Sequence, residues 1–211
     1  MFPADIHEEL KSLHIVLASS SKIRENLLKR LNLNIEAYAP NFEEDLNTDH
    51  YSISDFVEET ALRKVIDVES YLNERGIRPD MIIGADTMVE HQGQLYGKPK
   101  TKEEAVSILA KLTSSQLPNI VHTGVVIKYK NQIVKFVEST IVYMTKLTRK
   151  EILTYVDTEE AMNCAGGFAI QGLASAFIER IEGDYNNVTG LPLCRLRKEL
   201  IRLFSINGFQ C

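Results

Sequence analysis

Apolar positions along the chain fall into short unbroken runs and longer stretches with helical spacing. The first run, His14, Ile15, Val16, Leu17 and Ala18, has the length and branched content of a buried strand. Ser19, Ser20 and Ser21 follow, and residues 22–33 then carry Ile23, Leu27, Leu28 and Leu31 at helical intervals. Residues 35–39 read as a second strand, ahead of an acidic turn at Glu43, Glu44 and Asp45. Residues 54–75 read as a long helix, and Gly76 stands just past its end, where glycine relieves the backbone. Residues 81–90 read as a strand, with Gln92 and Gly93 as a hairpin turn into Leu95 and Tyr96. Thr101 and Glu104 have capping-box spacing and open a helix to Leu112; Thr148 and Glu151 repeat the device before a helix to Val156. Strands are expected over 121–128 and 133–144, with a turn near Lys130 and Asn131, and again over 168–171 and 175–180. Pro192 opens the last helix, at the position where proline is best tolerated. This mixture of strands, helices and hairpins predicts an α/β fold with a mixed sheet flanked by helices. No repeat, low-complexity tract or Pro/Gly-rich linker interrupts it. A single domain over residues 1–211 is expected, with residues 1–12 as an N-terminal extension.

Composition narrows the function. The 211 residues are 44% hydrophobic, enough for a sizeable core. The net charge of -5 points away from a nucleic-acid surface, which needs clustered Lys and Arg. A small anionic substrate remains compatible with a local basic pocket. The three cysteines, Cys164, Cys194 and Cys211, form no CxxC pair, so neither a zinc site nor a disulfide framework is expected. That usage fits a reducing compartment. The first residues lack the basic start and apolar run of a signal peptide, and no apolar stretch is long enough to span a membrane. A cytoplasmic protein without membrane or nucleic-acid partners is the expectation.

Several polar residues stand where they invite chemistry. Ser19 to Arg24 lie at a predicted strand–helix junction, where free N–H groups and the helix dipole attract anions. Serine hydroxyls and the planar fork of Arg24 would add phosphate donors, although a capped helix with a solvated arginine explains the same pattern. Asp86 interrupts the apolar run Ile82, Ile83, Gly84, Ala85 and Met88, Val89, where a carboxylate needs a partner. It could bind Mg²⁺ or take a proton from water, or be a satisfied strand-end residue. Lys98, between Gly97 and Pro99, could meet a phosphate as a point charge. Glu43 and Glu44 could be metal ligands or a solvated turn, and Arg63 and Lys64 could form a solvated helix face. Gln171, in the glycine-rich segment from Ala165 to Gly172, can both donate and accept, as a base edge or a catalytic water requires. The polar loop from Gly183 to Pro192 precedes the last helix.

In this order the segments resemble the Maf family of nucleoside triphosphate pyrophosphatases. The family pattern LASxSPRRxELL is similar to Leu17 through Leu28; GADTxV to Gly84 through Val89; GKP to Gly97 through Pro99. AGxxxIQG is similar to Ala165 through Gly172, and GDYxxVxGLP to Gly183 through Pro192. The resemblance implies a fold related to inosine triphosphatase-like enzymes, with an elongated mixed sheet and a cleft between two lobes. It implies Mg²⁺-dependent (or other divalent-metal-dependent) release of pyrophosphate from nucleoside triphosphates, with dTTP and UTP as preferred substrates. A homodimer is a further family expectation. Carried over by position, Ser19, Ser21, Arg24, Lys64, Lys98 and Gln171 would bind substrate. Glu43 and Asp86 would organise metal, with Asp86 the candidate base. The chain departs from the pattern at Lys22, Ile23 and Asn26, and at Asn163, Cys164 and Phe168. Ile23 and Cys164 lean toward the branch acting on 7-methyl-GTP. A catalytically weak nucleotide-binding regulator of cell division is the alternative from another class.

Overall fold

The computed structural model of the chain describes residues 1–41, 51–115 and 117–207. The chain begins with α1 (Ala4–Ser12), β1 (Ile15–Ala18), α2 (Lys22–Lys29) and β2 (Ile35–Tyr38). Then come α3 (Ile53–Glu74), β3 (Met81–His91), β4 (Gln94–Tyr96), α4 (Lys102–Leu112), β5 (Asn119–Tyr129) and β6 (Gln132–Met144). The remainder is α5 (Arg149–Val156), β7 (Ile178–Glu182), α6 (Tyr185–Val188) and α7 (Leu193–Asn207). The strands form one sheet in the order β2-β1-β3-β5-β6-β7, with β4 paired to β3. β1 is parallel to both β2 and β3, whereas β3 with β4 and β6 with β7 are antiparallel. This is the mixed α/β sheet the sequence predicts.

The chain divides into two compact units. The first comprises Met1–Asp86, Gly124–Glu138 and Gly190–Cys211. Its strands show the two-residue alternation of a sheet buried on both faces. Ile15, Leu17, Met81, Ile83, Ala85, Val125 and Ile127 pack with apolar residues of α1, α2 and α7. Val16, Ala18, Ile82 and Val126 pack instead with Ala61, Val65, Val68 and Leu72 of α3. That helix lies unusually close to the strands. A β-carbon on Gly84 would sit 2.6 Å from Val65 Cγ2 and 2.7 Å from the Ala61 carbonyl oxygen. One on Gly124 would sit 2.4 Å from the Val57 carbonyl carbon and oxygen. Only glycine admits the helix backbone at both places.

The second unit comprises Thr87–Thr123 and Ser139–Thr189. Its core joins Val89, Val121 and Val142 from strands with Leu109, Leu112, Ile152 and Tyr155 from α4 and α5. The Thr148–Glu151 capping box is complete at the start of α5, whereas Thr101 caps α4 through the Glu104 N–H alone. Three 3-10 turns, Glu160–Asn163, Ala165–Gly167 and Leu173–Phe177, carry the chain from α5 toward β7.

Residues 4–12, within the expected N-terminal extension, are helical, and Phe2, Ile6 and Leu10 are buried in the first unit's core. Three local expectations are corrected. The helix expected over 22–33 ends at Lys29, and Arg30 closes it. Residues 168–171 form no strand; their apolar side chains are buried by packing among turns, and the final strand begins only at Ile178. Within the polar loop, Tyr185–Val188 forms a short helix capped by Asp184, whose side chain accepts from the Asn186 N–H. Among the described residues no helix is long and apolar enough to cross a membrane.

Candidate active site

Parallel pairing fixes the first group of candidates. Ala18 on β1 is in register with Gly84 on β3. The Ser19–Arg24 segment leaves the carboxyl end of β1, and Asp86 lies two residues past that register pair on β3, which runs on beyond β1 to His91. β1 lies between β2 and β3, so the chain turns to one side of it and then to the other. Open α/β sheets bind ligands at the carboxyl ends of strands around such a reversal.

The junction after β1 is internally built. Ser21 caps α2 by accepting from the Arg24 N–H at 3.4 Å, and Ser19 Oγ accepts from the Ser21 N–H at 3.1 Å. Arg24 turns inward and is only 8% exposed. Its Nε donates to the Gly190 carbonyl at 2.8 Å, and its Nη1 donates to Ser19 Oγ at 3.4 Å. Ser19 thus uses its oxygen as acceptor for two donors, leaving its O–H oriented to donate. The end of the Gly183-to-Pro192 motif is what anchors the guanidinium. Ile23, where the family pattern has arginine, packs against the apolar core beneath β1. Lys22 is engaged elsewhere: it and Lys29 pair with Glu25 at 2.7 and 2.6 Å, and hold that carboxyl below its ordinary range.

Asp86 has the partner its position demands. Lys64 Nζ donates to Asp86 Oδ1 at 2.5 Å, and both side chains are buried. Gly84 and Asp86, two residues apart, face α3 together. The same glycine that lets α3 approach therefore brings Lys64 within reach of Asp86. Lys64 lies on the buried stripe of that helix, with Val57, Ala61, Val65, Val68 and Leu72, and is no solvated residue. An ion pair in a dry interior interacts far more strongly than one in water, and loses that strength if either member is removed.

Glu43, the other expected metal ligand, lies outside the described residues, as do Glu44 and Asp45. Among the described residues no three His, Cys, Asp or Glu side chains converge as a metal cage. Asp86 still fits a Mg²⁺ ion, which is commonly held by one or two carboxylates together with substrate phosphates and water.

The second unit holds Lys98 and Gln171, both exposed. Their segments are tied together: the Gly166 N–H donates to the Gly97 carbonyl at 2.9 Å. Gly166 has φ 68° and no room for a side chain, since a β-carbon would lie 2.7 Å from Val89 Cγ2. Lys98 acts electrostatically on Cys164, where it opposes the larger effect of burial, which pushes the thiol up. Gln171 follows three buried residues, Phe168, Ala169 and Ile170, and is the one presented to solvent.

Sequence reasoning missed Tyr155 and Glu160. The Tyr155 hydroxyl donates to Glu160 Oε1 at 2.9 Å and accepts from the Ala169 N–H at 3.3 Å. Glu160 in turn accepts from the Leu173 N–H at 3.0 Å and the Ala174 N–H at 3.2 Å. Both residues lie just before the glycine-rich segment, but no spacing rule marks a side chain that binds backbone beyond a turn.

The family model described as Maf-like protein matches residues 14–203. A dTTP/UTP pyrophosphatase of Geobacillus sp. (strain WCH70) is 41% identical over 90% of this chain and 97% of its own length. A dTTP/UTP pyrophosphatase of Alkaliphilus oremlandii is 40% identical over 92% of this chain and 97% of its own. One of Thermosipho melanesiensis is 38% identical over 87% and 94%, respectively.

Proposed function

The chain belongs to the Maf-like protein family, and on that premise we propose that it hydrolyses dTTP and UTP to the nucleoside monophosphate and pyrophosphate. The observation that carries this reading is the Ala18–Gly84 register. It brings the serine-and-arginine loop that follows β1 beside the stretch of β3 that carries the lysine-paired Asp86, which supports a phosphate-handling role for both. The pyrimidine preference rests on the relatives, whose names are dTTP/UTP pyrophosphatase. Ile23, which leaned toward 7-methyl-GTP, is accounted for by packing.

Ser19 donates its hydroxyl proton to a phosphate oxygen, as does Ser21. Arg24, already held by Gly190 and Ser19, presents its guanidinium with little loss of side-chain freedom. Lys64 contributes positive charge beside Asp86. Such fixed charges are most effective where negative charge grows on the leaving pyrophosphate. Asp86 accepts the proton of the attacking water, whose oxygen bonds to the α-phosphorus as the bridging oxygen leaves with the pyrophosphate. Asp86, with Glu43, would hold Mg²⁺, which supplies charge to offset the phosphate oxygens when bound. By their positions in the family pattern, Lys98 would contact phosphate and Gln171 the edge of the base. Thymine and uracil each offer an N–H donor flanked by carbonyl acceptors, and a primary amide answers both.

A direct test is product analysis with dTTP, UTP and 7-methyl-GTP in the presence of Mg²⁺. Pyrophosphate and monophosphate from dTTP and UTP are expected. Orthophosphate and diphosphate would overturn the bond assignment, and turnover of 7-methyl-GTP alone would overturn the base preference.

A further inference from the structure

The segment that presents Gln171 is fastened on both sides by one pair of side chains. On the near side, Ala169 donates its N–H to the Tyr155 hydroxyl. On the far side, Leu173 and Ala174 donate theirs to the two oxygens of Glu160. Tyr155 and Glu160 are themselves joined at 2.9 Å. Gln171 is therefore carried on a short arch whose feet share a single support. The arch has no strand partner to fix it, so this support replaces the ladder that a β-strand would have had.

We infer that Glu160, acting with Tyr155, is a positioning residue for base selection: it sets where the Gln171 amide stands. The inference rests on the reading of Gln171 as the residue that meets the base.

Three further observations support it. A β-carbon at Gly172 would fall 2.1 Å from Glu160 Oε2, so a side chain there would displace the carboxylate from its donors. Tyr155 is held by its ring as well as its hydroxyl, edge-on to Phe177 at 5.2 Å between centroids. Burial first, and the Glu160 carboxylate next, push its phenol above the ordinary range, so it remains a neutral donor. A carboxylate is also the group the site requires. It accepts from Tyr155, Leu173 and Ala174 together, whereas a glutamine would turn an N–H₂ toward one of those donors.

The test compares kcat/KM for dTTP with that for dCTP, whose ring carries an amine where thymine has a carbonyl. The variants are Gln171→Ala, Glu160→Gln, Tyr155→Phe and the double variant Glu160→Gln/Gln171→Ala, with thermal melting recorded for each. Gln171→Ala is expected to lower the dTTP/dCTP ratio about tenfold, the scale for an unpaired buried polar group. Glu160→Gln should lower it by a similar factor. The double variant should be no less selective than Gln171→Ala alone, because the support matters only through the amide it carries. If Glu160→Gln does not fold, Tyr155→Phe tests the same support, since it keeps the ring and its packing. A ratio unchanged in both support variants while Gln171→Ala falls would overturn the positioning role alone. Independent, multiplicative losses in the double variant would do the same. A ratio unchanged in Gln171→Ala would overturn the base-contact reading and the inference with it.

Discussion

At the scale of single residues, the buried Lys64–Asp86 pair dominates what mutation should do. Considered as sequence, Asp86→Asn is nearly isosteric and structurally mild. The pairing changes that expectation, because the variant leaves a buried ammonium facing an amide. Turnover should fall at least ~100-fold, the scale for losing general-base help. The melting temperature should fall with it, since breaking one side of a buried ion pair costs ~3–5 kcal/mol. Kinetics and melting of one purified variant decide the matter; full activity would exclude Asp86 from the chemistry. Arg24→Ala should weaken transition-state binding by ~2–4 kcal/mol, read as kcat/KM, the scale for a charge-assisted phosphate contact. Arg24→Lys should recover little of it, because an ammonium cannot reach the Gly190 carbonyl and Ser19 with the same fork. The Asp86 signal was legible in the sequence as a charge inside an apolar run. The Lys64 signal was present too, at helical spacing with Val57, Ala61 and Val68, but the stripe of apolar neighbours had to be weighed against the habit of lysine to seek water.

At the scale of elements, α3 and the two glycines beneath it link packing to chemistry. Gly84→Ala places a methyl group against the Ala61 carbonyl oxygen, which is backbone and cannot turn aside. A destabilisation of roughly 1–3 kcal/mol is expected from overpacking. Activity should fall further than stability alone explains, because pushing α3 outward parts Lys64 from Asp86. Gly124→Ala meets Val57 backbone and should destabilise similarly, with a smaller effect on turnover at saturating substrate. Denaturant midpoints set beside kcat for both variants would separate the two effects. Unbroken apolar runs and capping boxes made most elements readable from the chain: β1, β3 and α5 fall where their patterns put them. The run from Phe168 to Ile170 misled for a definite reason. Short apolar runs are buried in strands and in turns alike, and here the Ala169 N–H goes to the distant Tyr155 hydroxyl instead of a neighbouring strand.

At the scale of the whole molecule, the apolar interior is organised as separate clusters within the two units. The clusters that hold each unit are built of apolar side chains, and in the proposed function the divalent ion meets the substrate's phosphates instead. Chelation of Mg²⁺ should therefore abolish pyrophosphate release while leaving the melting temperature of the nucleotide-free protein within about a degree. A large drop in melting temperature on chelation would instead assign the ion a structural place. The net charge of -5 argues at this scale against a broad basic surface and for a few inward-facing cations. Arg24 and Lys64, both buried, are of that kind.

The first helix carries a practical lesson for anyone dissecting the protein. The family match begins at residue 14 and stops at residue 203, and those limits invite trimming. Yet Phe2, Ile6 and Leu10 lie outside them on one side and Phe204 on the other, all in one apolar cluster. Arg197 of α7 also donates to the Met1 carbonyl at 2.7 Å. Each large apolar side chain removed forfeits roughly 1.5–3 kcal/mol of burial, against a total stability of about 5–15 kcal/mol for an ordinary domain. A version cut to the shared limits should be produced in poor yield and clump on concentration, with every residue named in the active site still present. Soluble recovery and denaturant midpoints of full and shortened chains would show it; equal values would make the opening helix dispensable. The family match spans every candidate site residue, whereas the apolar interior of the first unit extends past both of its ends.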